Sequence, residues 1–164
     1  MSAVVRPALL ILLSAVISPA AESHPARGQF DFVVGNWLVR DASSRVIGTA
    51  TITKAYGGCV LIETWLGTGN AAGSLGIIGY QPQQGRWHRD FLDPDGVVLS
   101  FDGEWNGSAM VMTGRDYPAD GVRLHRVSWT PQHDGAVKER WQTSADGGHS
   151  WQDKFYGVFR RIAE

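Results

Sequence analysis

Turn-forming dipeptides recur at short intervals through most of this chain, and their spacing constrains the fold more than any other feature. They include Asn106-Gly107, Asp120-Gly121, Asp134-Gly135 and Asp146-Gly147. Asn-Gly and Asp-Gly tolerate the positive φ angles that tight hairpin turns need. The sequence therefore predicts short antiparallel strands joined by hairpin turns.

Ten runs rich in Val, Ile, Thr, Trp and Tyr lie between such turns, and we expect each to form a strand: 37–40, 46–56, 59–66, 75–80, 87–92, 97–101, 109–113, 123–130, 136–143 and 151–160. No segment after residue 30 keeps a 3.6-residue apolar period long enough for a substantial helix. Closure of about ten strands removes the exposed edges that an open sheet would leave. We expect an all-β fold, a single antiparallel up-and-down β-barrel, over residues 30–162.

The N-terminal 20 residues have the pattern of a secretory signal peptide. Residues 8–17 read ALLILLSAVI, and the small residues of Ser18-Pro19-Ala20 follow as a cleavage site. An apolar run of about ten residues is too short to cross a bilayer of roughly 30 Å. We therefore expect an exported protein, periplasmic or secreted, with no stable membrane anchor after cleavage. Residues 21–29 are expected to form a flexible lead-in to the barrel.

Charge and cysteine content exclude several classes of partner. The formal net charge is −1 and no cluster of Lys and Arg occurs, which argues against nucleic acid or an anionic membrane as the main partner. Cys59 is the single cysteine, so no disulfide can form within the chain, and its place in the run GGCVLIETW predicts burial. The oligomeric state is left open by the sequence.

The histidines do not form a metal-binding pattern. None is closely paired with another, as the positions of four of them show: His88, His125, His133 and His149. A lone cysteine cannot complete a Cys-rich zinc site. We therefore predict neither a metal nor another cofactor, and we assign no catalytic residue.

The motif Gly35-Asn36-Trp37 stands where the first strand is expected, and it resembles the Gly-x-Trp signature of lipocalin-like barrels. The resemblance implies that Trp37 closes one end of the barrel, with an arginine of the last strand against its ring. Arg160 and Arg161, in the run FYGVFRR, are the candidates. Such an arginine would make a favourable cation–π contact.

A longer series of motifs is similar to one bacterial family, the DUF1579-like exported proteins, which are viewed as lipocalin-like and whose activity is not established. The series reads FDFVVGNW, GGCVLIETW, GSLGIIGYQPQQGRWHRDFLDPDG, MVMTG and, from residue 123, RLHRVSWTPQHDGAVKERWQTSADGGHSWQDKFYGVFRR. It covers essentially residues 30–162. The resemblance implies that six residues occupy recurring positions of the family: Glu63, Trp65, Trp87, Arg126, Trp129 and Trp141.

Alternation along two strands places acidic residues among aromatic ones. In 59–66, Glu63 shares a face with Trp65, and the opposite face is also largely apolar. In 136–143, Glu139 shares a face with Trp141, opposite charged residues. Such a glutamate can orient a ligand, pair with an inward arginine, or be simply exposed. We take as candidate ligand-binding residues Glu63, Trp65, Trp87, Arg89, Arg126, Trp129, Glu139 and Trp141.

The favoured functional hypothesis is a non-catalytic binding protein whose barrel takes up a small, largely apolar molecule. One alternative is a small barrel enzyme that uses Glu63 or Glu139 for acid–base chemistry, with Arg126 or His125 as partner. Another is a barrel filled by its own side chains. A third is carbohydrate stacking, which needs several tryptophans on one outer face.

The run Ser144–Trp151 resembles the Asp-box, Ser-x-Asp-x-Gly-x-Thr-Trp, with Ser150 in the Thr position. We interpret it as a hairpin clip. Asp146 is expected to accept hydrogen bonds across the turn, and Trp151 to pack beneath it.

Overall fold

The computed structural model of the protein describes residues 25–69 and 73–162. The predicted signal peptide, residues 1–20, lies outside the described residues, as do residues 21–24 of the predicted lead-in. Residues 25–29, expected to be flexible, belong to a 3-10 helix, Pro25–Val33. The helix is anchored to the barrel by Phe30 and Val33, because both side chains are buried in the core.

Ten β-strands follow the helix, as the sequence predicts. They are β1 (Gly35–Arg40), β2 (Val46–Ala55), β3 (Val60–Gly67), β4 (Gly73–Gln81), β5 (Arg86–Leu92), β6 (Val98–Trp105), β7 (Met110–Asp116), β8 (Arg123–Pro131), β9 (Val137–Ser144) and β10 (Gln152–Arg161). A short 3-10 turn, Tyr56–Gly58, joins β2 to β3. Cys59 comes directly after this turn and is half-buried rather than fully buried, with Sγ 3.2 Å from the Arg27 Nη1 that donates to it.

Each strand pairs with the strand before and after it in sequence, always antiparallel, and β1 pairs with β10 to close the barrel. The fold class is therefore confirmed: an up-and-down β-barrel of ten strands. The predicted turn glycines have the expected conformation, since Gly107 and Gly135 have φ angles of 98° and 77°. Short connections and full closure leave the sheet without a free edge.

The 3-10 helix fills one end of the barrel. Phe30 is fully buried, and its ring centroid lies 5.6 Å from that of Trp87 and 5.2 Å from that of Trp129. Trp37 is fully buried nearby, and its Nε1 donates to the Val33 carbonyl at 2.8 Å. This end of the barrel is thus occupied by the protein's own side chains.

Trp37 and Arg161 make the contact expected of the Gly-x-Trp motif. The Arg161 guanidinium carbon lies 4.4 Å from the Trp37 ring centroid, and Nη1 donates to the Val34 carbonyl at 2.8 Å. Arg160, the other candidate, turns outward and pairs with Asp134. Gly35 is required here because its φ is 145° and a Cβ would collide with the Arg161 guanidinium.

The Asp-box run forms the predicted clip between β9 and β10. Asp146 Oδ1 accepts hydrogen bonds from the Ser150 backbone N–H at 2.9 Å and from Ser144 Oγ at 2.7 Å. A hydrogen bond from Ser150 Oγ to Asp146 Oδ2, together with these two bonds, holds the pKa of Asp146 well below its usual range. Trp151 Nε1 donates to the Gly148 carbonyl at 3.1 Å, so the tryptophan packs against the turn that it follows.

Candidate functional site

The end of the barrel opposite the helix contains a cavity of ≈ 240 Å³. Because neighbouring strands run antiparallel, this end brings together the last residues of β3, β5 and β9 with the first residues of β4 and β10. The lining side chains come from these strands and from the residue after β5: Glu63, Trp65, Ser74, Arg89, Phe91, Asp93, Glu139, Trp141, Lys154 and Phe155. The barrel is therefore filled at one end and partly open at the other.

Four aromatic side chains form the walls of the cavity in two perpendicular pairs. The ring centroids of Trp65 and Phe155 are 5.7 Å apart, with an interplanar angle of 84°. Those of Phe91 and Trp141 are 5.1 Å apart, at 89°. Edge-to-face contacts of this kind stabilise rings in fixed positions. The walls are thus preformed and largely apolar.

A buried ion pair lies at the base of the cavity. Arg89 Nη2 donates to Glu63 Oε2 at 2.7 Å, and the two residues are 1 % and 6 % exposed. The side chains come from β5 and β3, on either side of β4, and Gly76 of β4 lies between them. A Cβ at Gly76 would be 2.7 Å from Glu63 Oε2 and 3.3 Å from Arg89 Nε. The absence of a side chain at residue 76 therefore makes room for the pair.

Aromatic rings surround the rest of the Arg89 guanidinium. Its central carbon lies 4.8 Å from the ring centroid of Phe91, 5.1 Å from that of Trp129 and 5.8 Å from that of Phe101. Within the described residues, Arg89 Nε and Nη1 have no hydrogen-bond partner. The guanidinium is thus held by one carboxylate and by cation–π contacts.

Glu139 is the third ionisable group of this buried layer. It is 5 % exposed and lines the cavity from β9. Burial, together with the nearby charge of Glu63, raises the pKa of Glu139 to about 8, although Arg89 and a hydrogen bond from the Trp129 side chain act in the opposite direction. At neutral pH the Glu139 side chain is therefore mainly an uncharged carboxylic acid.

A hydrogen-bonded chain fixes the position of Trp141. Its Nε1 donates to His125 Nδ1 at 3.0 Å, and His125 Nε2 lies 2.9 Å from Asp116 Oδ1. Because an indole nitrogen only donates, the proton of the neutral His125 ring must be on Nε2, which donates to Asp116. Burial lowers the pKa of His125 in spite of Asp116. The imidazole is thus held as a neutral support behind a cavity wall.

The structure brings five of the eight candidate residues together at the cavity: Glu63, Trp65, Arg89, Glu139 and Trp141. Trp129 lies beneath it, in contact with Arg89 and Phe30. Trp87 packs at the closed end. Arg126 does not reach the interior. It lies on the outer face, where it donates to Gln142 Oε1 at 2.7 Å and stacks on Trp151.

Sequence reasoning missed the two phenylalanines of the walls. Phe91 follows Arg89 by two residues on the same face of β5, so strand alternation was a usable signal. Phe155 had a similar signal, because it lies four residues before the buried Phe159 and therefore on the same face of β10. The pairing of β10 with β9 is regular from Phe155 onward and places Phe155 opposite Trp141, after a register shift between Asp153 and Phe155.

Comparison with protein-family models finds no match to this chain, and none of the curated proteins compared with it matches. Among residues 25–69 and 73–162, no three His, Cys, Asp or Glu side chains are grouped to hold a metal ion. The same part of the chain contains no helix that is long and apolar enough to cross a membrane.

Proposed function

We propose that the protein binds a small, largely apolar molecule inside the barrel. The observation that carries the proposal is the ≈ 240 Å³ cavity with preformed aromatic walls at the end opposite the helix. A barrel filled throughout by its own side chains would leave no such space. Apolar concave sites with a few polar groups are typical ligand sites, and barrel mouths are among their usual places.

The dimensions and polarity of the cavity limit the ligand. A volume of ≈ 240 Å³ is below the roughly 300–1,000 Å³ of sites for drug-sized molecules, so we expect a ligand with about one ring or a short chain. Its apolar body would lie against Trp65, Phe91, Trp141 and Phe155. Its polar end would lie at the layer of Glu63, Arg89 and Glu139.

Export and family membership are part of the same proposal. The apolar run of residues 8–17 and the small residues after it support a protein that acts outside the cytoplasm. The series of motifs over residues 30–162 supports membership of the DUF1579-like group. A ligand can reach a binding protein in the periplasm or the medium without crossing the inner membrane.

The alternatives have less support. For acid–base catalysis we considered Arg126 or His125 as the partner of a glutamate. Arg126 lies on the outer face, and both ring nitrogens of His125 are engaged by Trp141 and Asp116. For carbohydrate stacking, several exposed tryptophans would be needed. All seven tryptophans are buried or half-buried.

Native mass spectrometry of the mature protein, purified without detergent, is the direct test. We expect an adduct that is lost on denaturation. Ser74→Phe would place a ring into the cavity from β4 and should abolish the adduct. Ser100→Phe is the matched control, because Ser100 is exposed on β6. Equal adduct formation by both variants would place binding outside the cavity. A bare polypeptide, with no saturable binding of varied lipophiles, would reject the proposal.

A further inference from the structure

Glu139 is buried, and it forms no ion pair within the described part of the chain. Among the described residues, Arg89 is ion-paired to Glu63, and no Lys, Arg or His lies within ion-pair distance of Glu139. Its carboxyl accepts a hydrogen bond from the Trp129 side chain. Two carboxyl groups therefore share one arginine at the base of the cavity, and one of them faces the cavity without a counter-ion.

This arrangement produces a negative potential at Glu139. With both carboxylates ionised, the buried layer of Glu63, Arg89 and Glu139 has one net negative charge. Burial and the charge of Glu63 raise the pKa of Glu139 to about 8, so its carboxyl is mainly protonated at neutral pH.

We propose that the cavity binds an organic cation, a protonated amine on a small aromatic or apolar body, with its ammonium group against Glu139 and Glu63 and its body between Trp65, Phe91, Trp141 and Phe155. This inference rests on the proposed function and adds the chemical class of the ligand. The ammonium replaces the proton of Glu139, which leaves to solvent, so the buried layer with its ligand is neutral. Aromatic walls favour a desolvated cation by cation–π interaction.

The other charged groups that face the cavity are Asp93 and Lys154. The Lys154 ammonium lies 4.6 Å from the ring centroid of Trp141, so a cation already lies against the outer part of one aromatic wall. Lys154 is exposed, and solvent screens its charge more than that of the buried glutamates. Asp93 opposes the charge of Lys154 in the same region. Because the charges of Asp93 and Lys154 are opposite, the net charge of the cavity lining is the negative charge at its base.

An anionic ligand fits the site less well. Glu63 already occupies Arg89 Nη2, and the unpartnered nitrogens of Arg89 belong to a guanidinium packed among aromatic rings. A ligand carboxylate would give the buried layer a net negative charge even with Glu139 protonated. Desolvation makes an uncompensated buried charge costly.

Three small molecules of similar shape separate the possibilities: phenethylamine, phenethyl alcohol and phenylacetate. Isothermal titration calorimetry at pH 7 and pH 9 measures their binding to the mature protein. We expect phenethylamine to bind most tightly, and its affinity to increase about tenfold from pH 7 to pH 9, because the ionised fraction of Glu139 increases by that factor around a pKa of about 8. An alkyl amine remains largely protonated over this range.

Proton release is the second readout. In two buffers of different ionisation enthalpy, binding of phenethylamine at pH 7 should release about one proton, and at pH 9 almost none. Glu139→Gln should abolish both the release and the preference for the amine, while binding of phenethyl alcohol persists. Glu104→Gln, at an exposed position of β6, is the matched control and should behave as the wild type. If Glu139→Gln does not fold, the pH and buffer dependence of the wild type still decides.

Each outcome has a separate meaning. Equal binding of the alcohol and the amine, without proton release, would overturn the cation proposal and leave the cavity as an apolar binding site. Tightest binding of phenylacetate would overturn it in favour of an anion at Arg89. Binding of none of the three probes would overturn the cation proposal, and native mass spectrometry of the protein from its own host would then test the proposed function independently.

Discussion

Arg89 and Glu63 form an ion pair in the interior of the barrel, 2.7 Å from Nη2 to Oε2, across a strand that presents only a glycine between them. The pair divides the interior into two parts. On one side lie Phe30, Trp87 and Trp129, packed around the N-terminal helix. On the other lies the cavity. The pair is therefore at once the floor of the candidate site and a component of the core.

Gly76→Ala tests the space between the two side chains. The new methyl group would be 2.7 Å from Glu63 Oε2, and we expect its displacement of the pair to lower the free energy of unfolding by about 1–3 kcal/mol. Urea denaturation measures the change. Gly79→Ala on the same strand is the control, because its nearest atom, the Cys59 carbonyl oxygen, is 3.8 Å away. Equal stability of the two variants would show that the pair is not confined by Gly76.

Arg89→Met tests the importance of the counter-ion. It leaves Glu63 buried without a partner, and loss of one member of a buried pair typically costs about 3–5 kcal/mol. The double variant Arg89→Met with Glu63→Gln should recover part of this loss, since no carboxyl at residue 63 is then left unpaired. Thermal and urea unfolding of the wild type, the two single variants and the double variant check the expectation. Additive losses would contradict a coupled pair.

The pKa of Glu139 predicts a stability that decreases with rising pH. In the unfolded chain Glu139 ionises near its usual pKa of 4.5, whereas in the folded protein it does so at about 8. Between these values the folded state binds more protons, so the stability that Glu139 contributes is complete below pH 4.5 and is lost towards pH 8. The slope from this group is at most about 1.4 kcal/mol per pH unit. Glu139→Gln should be correspondingly less sensitive to pH, and identical slopes would contradict the shift.

His125 predicts the opposite trend on the acid side. Burial lowers its pKa in the folded protein below the usual 6.5, so the unfolded chain binds the proton first. Stability from this group is therefore complete above pH 6.5 and is lost as the pH falls. Protonation also removes the acceptor for Trp141 Nε1. We expect unfolding and a change in tryptophan fluorescence to occur at higher pH in the wild type than in His125→Gln. Coincident acid transitions would reject this assignment.

Arg161 is expected to stabilise the closed end of the barrel. Arg161→Ala removes the contact with the Trp37 ring, worth about 0.5–1 kcal/mol at an exposed position, and a hydrogen bond to Val34. Arg160→Ala is the neighbouring control, because Arg160 makes only an exposed ion pair with Asp134. Thermal unfolding should show a larger loss for Arg161→Ala. A larger loss for Arg160→Ala would show that Arg160, and not Arg161, has the stabilising role.

Local patterns in the sequence were sufficient to predict the strands, the turns and the inward direction of several candidate residues. Asn-Gly and Asp-Gly restrict the backbone at the turns themselves, and alternation along a strand places Glu63 with Trp65 and Glu139 with Trp141 irrespective of the rest of the chain. Resemblance to a known motif predicted the contact of Trp37 with an arginine of the last strand. The confirmed ten-stranded barrel follows from these short-range preferences and from the cost of open edges.

Only the tertiary structure decided how the interior is divided. Glu63, Arg89 and Glu139 come from strands that are not neighbours, and their meeting at one level depends on the register of the whole barrel. The filled end depends on a helix placed where a flexible lead-in was predicted. Local periodicity describes which face a side chain takes. The depth of the side chain in the barrel, and the charged groups that it contacts there, are determined by long-range packing.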